Sequence, residues 1–189
     1  AVFASTDASV MEWDRAVALY TGSLSRDTGA EGQFPYTLAD IQCRTFGTCD
    51  PDPDPDPTDP DYPIVLSPLN QRIFELFVFG KERLESNDCD GARDDAEDLR
   101  SLMTVPLIQG VLHASYATDV EDDVQETTHG AGAAFAAALL PLIHECNEGN
   151  ADIVHGDLAP GEIMGGSYDV VKAALERSYE CLNVRCEDV

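Results

Sequence analysis

Apolar residues recur at three- and four-residue spacing through most of this chain, and no stretch shows the period-two alternation of a half-buried strand. Val10, Trp13, Val17 and Tyr20 share one helical face, with Asp7-Ala8-Ser9 able to cap that helix and Thr21-Gly22-Ser23 ending it at a glycine. A loop holding Gly29, Gly32 and Pro35 follows, then a short helical piece over 36–46. Ser67 or Asn70 starts a further helix through Ile73-Phe-Glu-Leu-Phe-Val-Phe79 to about 85. The next is expected from 94 past Leu99, Met103, Leu107 and Val111 to 116, kinked at Pro106. Two more cover 130–146 and 166–182. The pattern predicts an all-α fold, a disulfide-stapled helical bundle with long ordered loops.

One segment breaks the pattern. Asp50-Pro-Asp-Pro-Asp-Pro-Asp-Pro-Thr-Asp-Pro-Asp-Tyr-Pro63 cannot be helical, because alternating proline removes N–H donors and holds the chain extended. The chain therefore reads as a single helical domain over 1–189, with 50–63 an Asp-Pro-rich spacer crossing its surface. A carboxylate comb that holds calcium loosely is the functional alternative for 50–63, although its spacing closes no cage.

Charge narrows the choice of partner. Thirty-six Asp and Glu face eleven Lys and Arg, a net charge of −25. Such a field repels nucleic acid and anionic lipid and attracts cations, or it serves only solubility and salt resistance. The hydrophobic fraction of 43% is enough for a core, which excludes a disordered acidic tail. The chain opens without a basic n-region, so any signal peptide is expected to have been removed already. Its longest apolar stretch, 131–143, is too short to span a bilayer and contains Pro141, so a soluble chain with no membrane insertion is expected. Six cysteines fit three disulfides formed in an oxidising compartment. Of the fifteen possible pairings, the preferred one joins Cys43 to Cys49, Cys181 to Cys186 and Cys89 to Cys146. No Cys-x-x-Cys occurs, which argues against a redox dithiol or a thiolate zinc site.

Several residues could ligate a metal. Glu75 sits in a helix turn that is apolar nearly all round, so it is either paired, protonated or metal-bound, or it faces a narrow solvent stripe or Arg72. Glu126-Thr-Thr-His129 places a carboxylate and an imidazole on one helix face, but only one copy is present, which disfavours a ferritin-like di-iron site. His113 and His144 lie on apolar helix faces, as core histidines or as ligands converging with Glu75 or Glu12. His155 lies in a Gly-rich loop and adds nothing. Counting Ser86 as the first position of a calcium loop puts Asp88, Asp90, Asp94 and Glu97 at ligand positions three, five, nine and twelve. The competing reading of those residues is an acidic N-terminus for the following helix. Nothing resembles a nucleophile elbow, a phosphate loop or a dinucleotide fingerprint, and no enzymatic activity is expected.

Trp13-Asp-Arg-Ala-Val-Ala-Leu-Tyr-Thr-Gly-Ser23 and Tyr36-Thr-Leu-Ala-Asp-Ile-Gln-Cys-Arg-Thr-Phe-Gly-Thr-Cys49 resemble the low-iron-inducible periplasmic proteins of algae. These are secreted proteins associated with iron assimilation and with growth at high carbon dioxide. The resemblance implies iron binding or delivery outside the plasma membrane. The expected partner is thus a metal cation, iron, with a cell-surface protein as a further partner class. The alternative is a calcium-stabilised structural or interaction module of a cell wall or extracellular matrix.

Overall fold

A computed structural model describes residues 2–22, 34–51, 65–121, 125–158 and 167–189, and the fold they form is all-helical. Most of the expected loop holding Gly29 and Gly32, and most of the Asp-Pro spacer, from 52, lie outside the described residues, as do 159–166. The chain packs as two compact units, 1–100 and 101–189, and the division falls inside one long helix.

The first unit contains α1 (Val2–Thr21), α2 (Pro35–Phe46), α3 (Pro68–Glu85) and the start of α4 (Cys89–Asp119). Pro35 and Pro68 occupy the first positions of α2 and α3, where a missing N–H costs nothing. Helix α2 ends at Gly47, whose φ of 67° lets the chain reverse so that the Thr48 N–H donates to the Cys43 carbonyl. That reversal brings Cys49 back onto Cys43, and the two form the expected disulfide. Asp50–Pro51 (β1) then pairs antiparallel with Val65–Leu66 (β2). This two-residue ladder is the one extended pairing among the described residues. Tyr20, Ala39, Cys43, Ile73, Phe77, Ala92 and Leu99 are the buried apolar residues of this unit. Trp13 packs edge-on to Phe77, donates its indole N–H to the Phe77 carbonyl at 2.8 Å, and rests where Gly80 presents no side chain.

The second unit contains the rest of α4, α5 (Glu126–Cys146), α6 (Glu148–Leu158), α7 (Tyr168–Glu176), α8 (Tyr179–Leu182) and a final 3₁₀ turn, Cys186–Asp188. Helix α4 continues through Pro106 to Asp119, longer at both ends than its apolar pattern suggests. Helix α6 is not apparent from the pattern at all. Its N-cap is Asn147, whose Oδ1 accepts the Asn150 N–H at 2.9 Å, and His155 is therefore helical rather than in a loop. The expected helix over 166–182 is instead two, α7 and α8, separated at Arg177–Ser178. Val105, Ile108, Val111, Leu139, Ile143, Val154, Val171 and Leu175 form the most deeply buried layer.

The cysteine pairing needs correction. Cys146 is bridged to Cys181, joining the end of α5 to α8, while Cys89 and Cys186 are free and exposed. The expected Cys89–Cys146 and Cys181–Cys186 bridges do not form, so two disulfides rather than three are present among the described residues. Cys181 and Cys186 are near in sequence, but the Asn183 turn (φ 53°) and the bridge to α5 commit Cys181 elsewhere.

Candidate metal centre

The residues expected to bind metal are dispersed. Glu12 is exposed and held by Arg15, one turn along α1, at 2.9 Å. Glu75 is also exposed, with its Oε1 3.5 Å from the Gln71 amide nitrogen, so the apolar turn around it leaves a solvent stripe instead of enclosing a carboxylate. His113 faces solvent, and His144 is exposed with its Nε2 4.0 Å from Glu148. Glu126 is exposed in the first turn of α5. His129 is half-buried, and its Nε2 has no hydrogen-bond partner, so the Glu126 carboxylate is not bonded to that nitrogen. Among the described residues no three His, Cys, Asp or Glu side chains meet as a metal-holding group.

The proposed calcium loop folds as a helix start. Asp88 precedes α4 and accepts the Gly91 N–H at 3.1 Å, three residues along, which is N-cap geometry. Asp90 pairs with Arg93 at 2.8 Å, and Ser86 donates to the Arg83 carbonyl. Asp94 and Glu97 lie on exposed turns of α4. Arg83, from the end of α3, reaches the first turns of α4 instead of any of the proposed ligands. Its Nη1 donates to the Gly91 carbonyl at 2.6 Å and lies 3.0 Å from Asp95 Oδ1. Asp95 is 4% exposed and its second oxygen has no partner. Burial pushes its carboxyl above the usual range against the pull of Arg83, and Asp98, Asp94 and Asp88 push the same way as burial.

A different cluster, which sequence reasoning did not single out, lies where α1, α2 and α3 meet. Tyr20 is 3% exposed and its hydroxyl donates to Asn70 Oδ1 through a short hydrogen bond. The Asn70 amide nitrogen donates to Asp40 Oδ1 at 2.8 Å and to the Tyr36 carbonyl at 3.0 Å. Asp40 Oδ1 also accepts the Ser67 N–H at 3.2 Å. Tyr20, Tyr36, Phe74 and Phe77 stack around these groups with ring centroids 5.7–6.3 Å apart. Burial raises the Asp40 carboxyl above its ordinary range, while Ser67, Asn70 and the charge of Arg44 hold the rise back. Burial likewise raises the Tyr20 phenol far above its usual value, and Asp40 and Tyr36 add to the effect.

No family model, curated protein or solved structure matches the chain.

The geometry of these groups thus stands by itself. The Tyr20–Asn70–Asp40 cluster left one trace in the sequence: Tyr36 and Asp40 are four residues apart on a helix and so share a face. That Tyr20 and Asn70 join them, 50 positions apart in the chain, follows only from the packing of α1 on α3. In the second unit the buried polar groups serve packing. Ser115 donates to Asp157 at 3.1 Å, and Asn150 bonds both Ser178 and Arg177, tying α6 to the break between α7 and α8. Among the described residues no helix is long and apolar enough to cross a membrane.

Proposed function

We propose that this protein is an acidic, secreted or periplasmic cation-binding protein without a catalytic role, and that its cargo is iron, bound or delivered in iron assimilation. The observation that carries the reading is the charge imbalance: eleven basic residues stand against thirty-six acidic ones. Several of those few cations are already engaged, Arg15 with Glu12, Lys81 with Asp14, Arg83 with Asp95 and Arg185 with Asp188. Even if every basic side chain took one carboxylate, 25 would remain to be balanced from outside (36 − 11). Two disulfides support an oxidising location, and the resemblance to the algal low-iron-inducible proteins supports iron.

Equilibrium dialysis against a soluble iron(III) chelate, and separately against calcium, followed by elemental analysis of the retained metal, tests this. Iron retained in fixed stoichiometry at physiological salt is the expected result. Retention of calcium alone would favour the calcium-stabilised matrix module. Retention of neither would reduce the charge to a device for solubility.

A further inference from the structure

We propose that Asn87 is an N-glycosylation site, with Cys89 as the third residue of its acceptor triplet. The proposal rests on the secreted location proposed above and is independent of the metal cargo. Asparagine is glycosylated in the pattern Asn-x-Ser/Thr, with any residue but proline in the middle, and the hydroxyl two places along is part of what is recognised. A cysteine thiol is a weaker donor of the same kind and serves in that place less efficiently. The chain has five asparagines, and the residues two places beyond them are Arg72, Cys89, Gly149, Asp152 and Arg185. Asn87-Asp88-Cys89 is therefore its one acceptor triplet.

Two demands of the pattern are met by the fold. The thiol must be unbridged, and Cys89 is free while four of the other cysteines are paired. The acceptor must also have room for a bulky, hydrated glycan, and residues 85–90 are all exposed. Asn87 holds the turn between α3 and α4 at φ 63°, a left-handed conformation that asparagine adopts more readily than most residues. Its main-chain N–H donates to the Leu84 carbonyl at 3.1 Å, so the backbone of the turn is tied down by α3. Asp88, the middle residue, is engaged with α4, where it accepts the Gly91 N–H at 3.1 Å. A glycan on Asn87 would thus cover only surface that already faces solvent.

The reaction is a group transfer from a lipid-linked oligosaccharyl pyrophosphate. The Asn87 Nδ2 bonds to the anomeric carbon, the bond from that carbon to the pyrophosphate oxygen breaks, and one amide proton is lost. No oxidant or reductant takes part.

The test is the intact mass of the full chain secreted by a eukaryotic cell, before and after an amidase that removes N-linked glycans and leaves aspartate. The expected parent is a mixture of bare and heavier chains, and the heavier ones collapse on treatment with aspartate found at position 87. Asn87→Gln should lose the heavier form altogether. Cys89→Ser should raise the glycosylated share and Cys89→Ala abolish it, and this pair keeps Asn87 in its turn should the Asn87→Gln variant fail to fold. A parent chain secreted wholly at its bare mass, or a glycan that persists in Asn87→Gln or Cys89→Ala, would overturn the site and leave the secreted location standing. A chain confined to the cytosol of its native cells would overturn both.

Discussion

Without the Arg83 guanidinium, Asp95 would sit buried, charged and answered only by other carboxylates. Arg83 itself is 41% exposed, so solvent weakens its attraction to Asp95, and the larger effect of deleting it is the stranded acid. Arg83→Ala is expected to cost about 2 kcal/mol in urea unfolding, and Asp95→Asn in the same background to recover most of that. Recovery would show that the buried charge, not the lost packing of the arginine stem, sets the cost. Individual residues were also the least legible in the sequence. Glu75 lies within Phe74, Leu76, Phe77, Val78 and Phe79, a setting that left an enclosed carboxylate and a solvent stripe both open, and since Val78 and Phe79 are themselves exposed the stripe is what forms. Asp40, by contrast, has an unremarkable sequence setting and becomes a half-buried carboxylate only because Asn70 and the Ser67 N–H arrive from α3 and its approach.

The helices show the opposite balance, because most of what determines a helix is local. Caps and turn residues put α2, α3 and the end of α1 near their expected places, whereas α6 was missed because its cap is an Asn beside a cysteine and its interior holds two glycines. Pro106 lies inside α4, as expected, and the helix continues through it within a buried stretch, where packing outweighs the lost hydrogen bond. Cross-links follow the same rule. Cys43–Cys49 closes over a single turn and was legible, while Cys146–Cys181, separated by 35 residues, depends on α8 meeting α5. Loop-closure entropy ranks the two: cutting the longer should cost about 4 kcal/mol and the shorter about 2. Thermal melts of the Cys146→Ser and Cys49→Ser variants would check that order. Two glycines provide a matched pair. A Cβ on Gly80 runs into the Trp13 ring, which its indole hydrogen bond holds in place, so Gly80→Ala should destabilise by about 1–2 kcal/mol despite its better helix propensity. Gly130 in α5 has open space around it, and Gly130→Ala should stabilise by up to ~1 kcal/mol in the same denaturant assay.

Across the whole chain, charge and burial act in the same direction. Asp40 and Asp95 both have folded pKa values above their unfolded ones. Such groups contribute stability that is fully present below the unfolded carboxylate pKa, about 3.9, and is lost as pH rises through the folded value. Protonating part of the −25 surplus also relieves self-repulsion. The exposed ion pairs that acid removes are each worth only about 0–1 kcal/mol. The melting temperature should therefore rise as pH falls from 7 towards about 4.5, the reverse of ordinary acid denaturation, as circular dichroism at a series of pH values would show. A separate consequence follows from the seat of Trp13 on Gly80. It is the chain's one tryptophan and belongs to the first compact unit, so its fluorescence is blind to the events of the second. Emission and far-ultraviolet ellipticity recorded on one sample would coincide if the halves melt cooperatively and diverge if each melts alone.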